Sequence, residues 1–187
     1  MFDRLRRARG DLATMNALLP AAERLAREDG IEQPGAEHLL LASLDLDDDI
    51  ANNALSAFGV DRTDIRTAIA GQHDEALRAI GVVADDNAIA AALPACGEPK
   101  GPYRSQGSLQ SAFQQAVALA KRDTASLNSG YVLLAASDAE RGTVVRTLEH
   151  LGVDATLLRD HTRRLLDERE FSAADGRPRP GRPAPPR

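Results

Sequence analysis

The chain has 187 residues, 43% of them hydrophobic, with only 3% aromatic side chains and no Trp; this suits one domain, or two small halves sharing one core, built from helices rather than sheet. A formal net charge of −5 argues against a general nucleic-acid-binding face, the single Cys96 has no partner for an internal disulfide, and no apolar run approaches the length of a membrane span. The basic start lacks a following apolar signal core, so the sequence reads as cytoplasmic, with no membrane partner.

Residues 1–10 form an arginine-rich lead, read as a solvated basic arm. From Asp11 to Asp29 apolar residues recur at helical spacing, through Leu12, Met15, Leu18, Leu19, Ala22, Leu25 and Ala26. Thr14 is placed to cap a helix beginning there, Pro20 falls in its first turns or kinks them, and Gly30 ends it. Pro34 marks the start of a second helix, with Glu37 in its first turn, where the helix dipole favours negative charge, and Leu39-Leu40-Leu41-Ala42 behind it. The acidic break Asp45-Leu46-Asp47-Asp48-Asp49 leads into a third helix from Ile50 to Phe58, closed by Gly59. Asp61 or Thr63 caps a fourth, running through Ile65 and Ile69 to about Gly71. Residues 72–106 break the pattern with Gly81, Pro94, Gly97, Pro99, Gly101 and Pro102 and read as a connector, with a short helix near Asp86 to Leu93.

The first pattern then returns. Ala22-Glu23-Arg24-Leu25-Ala26-Arg27-Glu28-Asp29 is echoed by Ala116-Val117-Ala118-Leu119-Ala120-Lys121-Arg122-Asp123, and Leu39-Leu40-Leu41-Ala42-Ser43 by Leu133-Leu134-Ala135-Ala136-Ser137. One residue is lost, and Leu55-Ser56-Ala57-Phe58-Gly59-Val60-Asp61 then meets Leu148-Glu149-His150-Leu151-Gly152-Val153-Asp154. Matched blocks in one order point to a supersecondary unit used twice. The predicted fold is therefore all-α: two pseudo-repeats of four helices, packed about a pseudo-twofold axis as one eight-helix domain. The organisation is a basic arm over 1–10, repeat 1 over 11–71, a connector over 72–106, repeat 2 over 107–168, and a disordered Pro- and Arg-rich tail over 169–187.

Catalytic and cofactor motifs are missing. There is no phosphate-cradling Gly-x-x-x-x-Gly-Lys loop, no Gly-x-Ser-x-Gly elbow, no His-Glu-x-x-His and no Cys-x-x-Cys, so neither an enzyme nor a cofactor is expected. Asp45, Asp47 and Asp49 imitate the opening of a calcium loop, but Ile50 and Ser56 stand where its turn glycine and bidentate glutamate belong. Of the four histidines, only His150 and His161 share a unit at a plausible distance, and a glycine turn separates them, so no metal site is expected. The basic lead and tail leave a helical DNA-binding regulator as the alternative class, opposed by the acidic body and the lack of a recognition helix.

The segments Gly35-Ala36-Glu37-His38-Leu39-Leu40-Leu41 and Ser129-Gly130-Tyr131-Val132-Leu133-Leu134, each followed by Leu-x-x-x-Gly-Val-Asp, resemble the N-terminal repeats of Clp-family chaperones of the ClpA, ClpB and ClpC types. The resemblance spans roughly residues 11 to 168. It implies a non-catalytic module that recruits client or adaptor proteins and peptides to a Clp ATPase. The family's ATPase modules are missing from this sequence, so it reads as an accessory or decoy. In some members the Glu of the Glu-His pair helps bind phosphorylated arginine, and others bind cyclic peptide antibiotics. By that resemblance the expected peptide- or phosphoarginine-binding residues are Glu37, His38, Ala36 and Tyr131, with Tyr131 standing where the first unit has Glu37.

Overall fold

The computed structural model describes residues 2–79, 105–139 and 141–174, and these residues form helices with no strand among them. Repeat 1 comprises α1 (Phe2–Glu28), α2 (Ala36–Ser43), α3 (Ile50–Ser56) and α4 (Arg62–Ala79); repeat 2 comprises α5 (Gly107–Arg122), α6 (Ser129–Ser137), α7 (Thr143–His150) and α8 (Ala155–Ala174).

The two shortest-lived sequence signals, Leu39–Ser43 and Leu133–Ser137, become the centre of the molecule. All nine residues of α6 are buried, as are seven of the eight in α2, and the two helices pack against each other. A helix that is apolar all round has no solvent face and must lie inside. Each ends on a buried serine that turns its hydroxyl back into its own helix: Ser43 Oγ donates to the Leu40 carbonyl and Ser137 Oγ to the Leu133 carbonyl, both at 2.7 Å. Around this pair, α1 contributes Leu18, Ala22, Leu25 and Ala26, and α8 contributes Leu158, Thr162 and Leu166. Burying one leucine contributes about 1.5–3 kcal/mol. The ion pairs on the outer faces, such as Arg24–Glu28 at 2.9 Å, are exposed and contribute about 0–1 kcal/mol each. The leucine core, not the surface charge, therefore holds the fold.

The repeats interlock. The fourth helix of each packs on the third helix of the other, α4 on α7 and α8 on α3. Gln72 Nε2 donates to Thr147 Oγ1 at 3.0 Å across one of these contacts, and an Arg169 guanidinium nitrogen donates to the Asp48 carbonyl at 2.6 Å across the other. The third helices end alike, in Gly59 (φ 71°) and Gly152 (φ 70°), the left-handed conformation that glycine adopts without steric cost. The Val60 and Val153 N–H groups then reach back to the Leu55 and Leu148 carbonyls at 3.2 and 2.8 Å. Asp61 caps α4 as expected, accepting from the Thr63 and Asp64 N–H groups at 2.7 and 3.0 Å, and these bonds hold its carboxyl below the ordinary value.

Several boundaries differ from the sequence reading. The basic lead is no arm: from Phe2 it forms the first turns of α1. Its helix docks on the loop between α5 and α6, where Arg7 donates to the Thr124 carbonyl and Asp11 Oδ1 accepts the Leu127 N–H at 2.8 Å. Thr14 is not a cap but a mid-helix residue donating to the Leu127 carbonyl at 3.2 Å, and Leu12 is 56% exposed rather than core. Pro20 sits well inside α1, tolerated because it and Asn16, whose carbonyl loses its partner, face solvent. α2 begins at Ala36 after Gly35, α4 passes Gly71 to reach Ala79, and α8 continues through 169–174, which the sequence assigned to the tail. The helix expected near 86–93, Cys96 and residues 175–187 lie outside the described residues. No helix among the described residues is long and apolar enough to cross a membrane.

Candidate functional site

The first turn of α2 is held by its own side chains. The Gly35 N–H lies 3.0 Å from His38 Nδ1, and the Ala36 N–H lies 3.4 Å from Ser108 Oγ of α5. Glu37 curls back beneath Gly35: a Cβ added at Gly35 would land on the Glu37 carboxylate, so only glycine leaves room for it. His38 is fully buried between two carboxylates, with Nδ1 3.2 Å from Glu37 Oε1 and Nε2 3.5 Å from Asp29 Oδ2. The second contact is too long for a hydrogen bond and acts electrostatically. Burial alone would pull His38 down, but the carboxylates of Asp29 and Glu37 outweigh it and raise it from 6.5 to about 9. Nδ1 cannot both accept from Gly35 and donate to Glu37, so the two contacts belong to alternative protonation states. With two carboxylates at hand, the imidazolium that donates to Glu37 is the favoured state near neutral pH.

Beside this turn lies a cleft of about 400 Å³. Ala36 and Glu37 form one wall, Ser108, Ser111 and Gln115 of α5 another, and Arg141, Gly142, Thr143 and Arg146 at the start of α7 the third. Arg141 and Arg146 are exposed, and neither has an ion-pair or hydrogen-bond partner among the described residues. Asp138, the nearest described acid before Arg141 in the chain, is already engaged by Gln115 at 2.6 Å and Arg159 at 3.2 Å.

The matching place in repeat 2 is closed. Aligning the N-caps of α3 and α7, Asp49 (φ 58°) and Gly142 (φ 140°), sets Asp48 opposite Arg141. Asp48 plugs the start of α6: it accepts from the Ser129 N–H at 2.9 Å and from the Ser129 hydroxyl. Ser129 Oγ in turn accepts the Ala51 N–H at 3.0 Å. Ile50 and Leu166 fill the remaining space against Gly130.

Of the residues singled out from the sequence, the structure brings Ala36 and Glu37 to the cleft wall, and sets His38 behind Glu37, out of solvent. Tyr131 does not line the cleft; it is 1% exposed and belongs to the core of α6. Arg141, Arg146 and the polar face of α5 went unnoticed in the sequence. Residue-by-residue alignment of the two repeats carries one signal for them, the exchange of Asp48 for Arg141. Among the described residues no group of three or more His, Cys, Asp and Glu side chains is placed to hold a metal ion. His161 packs edge-on against Phe58 with ring centroids 6.1 Å apart.

Residues 13–93 match the family model of the Clp repeat N-terminal domain. Among solved structures, the N-terminal domain of the chaperone ClpD from Arabidopsis thaliana aligns with a TM-score of 0.55 at 18% identity, covering 82% of this chain and 94% of that one. The Hsp104 N-terminal domain from Candida albicans aligns with a TM-score of 0.55 at 13% identity, covering 81% of this chain and 88% of that one. A structure described as belonging to a malarial protein secretion system aligns with a TM-score of 0.56 at 14% identity, covering 88% and 96%. At these identities the solved structures are similar in fold alone. No curated protein sequence matches the chain.

Proposed function

We propose that this chain, a Clp repeat N-terminal domain by its residues 13–93 and by its fold, is a non-catalytic module that binds protein or peptide segments in the cleft at the first turn of α2. The observation that carries this reading is the asymmetry of the two repeats: one helix start is plugged by Asp48 from the opposite repeat, while the other, held by Glu37, His38 and Ser108, borders a cleft. A volume of about 400 Å³ suits one or two peptide side chains. Its hydroxyls, those of Ser108, Ser111 and Thr143, have no free imidazole beside them, because the nearby His38 ring is walled off behind Glu37 and occupied by carboxylates. This supports binding without chemistry.

In this reading Ala36 and Glu37 form the inner wall, His38 holds Glu37 in place, and Tyr131 contributes packing only. The module recruits segments of client or adaptor proteins on behalf of a Clp unfoldase, or competes with one for them. The test is an array of unmodified and arginine-phosphorylated peptides probed with the full chain and with Ser111→Trp. Ser111 is exposed and lines the cleft, so the larger, uncharged side chain fills the cleft without touching the core. Wild type should retain a peptide set that Ser111→Trp loses, with the two proteins melting alike. Equal retention by both would place the binding face elsewhere.

A further inference from the structure

We propose that the cleft selects a carboxylate, presented either by an Asp or Glu side chain of a bound peptide or by a peptide's C-terminus, and that Arg141 and Arg146 hold it. This rests on the peptide-binding reading above and specifies its ligand chemistry.

The molecule contains the template. The loop of repeat 1 before α3 delivers the Asp48 carboxylate onto the start of α6 in repeat 2, where the backbone N–H and hydroxyl of Ser129 receive it. Arg169 reaches over from α8 to fix the same residue through its carbonyl. The corresponding loop of repeat 2, before α7, carries Arg141 in place of Asp48, so it brings no carboxylate to the start of α2, whose own Glu37 is turned onto His38. A guanidinium is left facing the cleft instead.

The charge balance agrees. In a chain of net charge −5, arginines 24, 27, 62, 66, 122, 159 and 163 are all engaged by carboxylates. Arg141 and Arg146, five residues apart and both lining the cleft, are engaged by no carboxylate among the described residues. Glu37, which lines the same cleft, has its carboxylate turned onto His38 at 3.2 Å. A carboxylate bound in the cleft can meet these guanidinium groups with charge-assisted, bidentate hydrogen bonds. The polar wall of Ser108, Ser111 and Gln115 supplies further donors for the same group.

The experiment is fluorescence anisotropy on the full chain with three labelled peptides of one sequence. The first has central Glu residues and an amidated C-terminus, the second has Gln in their place and is also amidated, and the third is the Gln form with a free C-terminal carboxylate. Either the first or the third should bind at least about tenfold more tightly than the second, and which one does so identifies the source of the carboxylate. Arg141→Gln and Arg146→Gln should each lose about that factor for the acidic ligand alone, and added salt should weaken it. Arg141→Asp, which puts a carboxylate where repeat 1 carries Asp48, should abolish the preference while the protein melts normally. If all three peptides bind equally, the carboxylate preference is wrong and the peptide-binding reading survives. If a phosphoserine peptide binds while the Glu form does no better than Gln, the preference is equally overturned. If nothing binds, both fall together.

Discussion

Gly130→Ala and Gly71→Ala are the same chemical change with opposite expected signs. In a helix, replacing Gly by Ala removes backbone freedom from the unfolded chain and contributes about 0.5–1 kcal/mol. Gly71 lies inside α4, and a Cβ there meets nothing within 4 Å, so the full gain should appear. Gly130 lies in the first turn of α6, where a Cβ would sit 2.7 Å from Ile50 Cγ2, 3.1 Å from Leu166 Cδ2 and 3.2 Å from Asn128 Oδ1. Ile50 is β-branched and buried, so its methyl cannot swing aside, and Asn128 is the residue capping α6. Overpacking of this kind costs about 1–3 kcal/mol, which exceeds the helical gain and leaves a net loss of about 1 kcal/mol. For a chain of this size that shifts Tm by about 2–4 °C. Thermal unfolding followed by far-UV circular dichroism should place Gly71→Ala above wild type and Gly130→Ala below it. A Gly130→Ala protein that melts above wild type would show that the start of α6 is open, and the contrast between the two repeats would collapse.

Two further perturbations probe the same contrast. His38, raised to about 9 in the folded chain against 6.5 for a free imidazole, adds stability that is complete below about pH 6.5 and disappears as pH rises through about 9. Urea midpoints should therefore fall across that interval for wild type more steeply than for His38→Gln; parallel curves would mean that His38 is neutral and simply accepts the Gly35 N–H. Asp48→Ala leaves the Ser129 N–H without its carboxylate and should cost about 1.5–3 kcal/mol in urea unfolding, partly recovered by Asp48→Asn. A loss below about 0.5 kcal/mol, the scatter of ordinary surface substitutions, would show that the plug holds nothing.

The repeat was readable because its signals are local. Leu39–Ala42 and Leu133–Ala136 are apolar without interruption, and Gly59 and Gly152 follow them at spacings that differ by one residue. The arginine-rich start was misread because what makes it helical is not local. It shows little apolar periodicity, and its partners, Thr124 and Leu127, lie more than a hundred residues away. Tyr131 was judged by the residue it replaces, Glu37, whereas burial depends on what surrounds the start of its helix. There the Asp48 plug and the Ile50 and Leu166 side chains leave no opening. Glu37 was correctly placed at a helix start, but its engagement by His38 and Asp29's share in that buried cluster depend on three-dimensional packing.

The exchange of third and fourth helices between the repeats bears on how the chain is made. When synthesis has completed α4, the partner on which that helix packs, α7, does not yet exist, and α3 likewise lacks α8. A nascent chain of that length has its local helices but exposes the faces of α2, α3 and α4 that the second half will cover. Closing those contacts joins residues some 75 to 120 positions apart, as Gln72 with Thr147 and Asp48 with Arg169 illustrate, and such long-range closure delays folding. The first half alone thus leaves these faces uncovered, and the contacts that join the two repeats form only once the last helix has emerged.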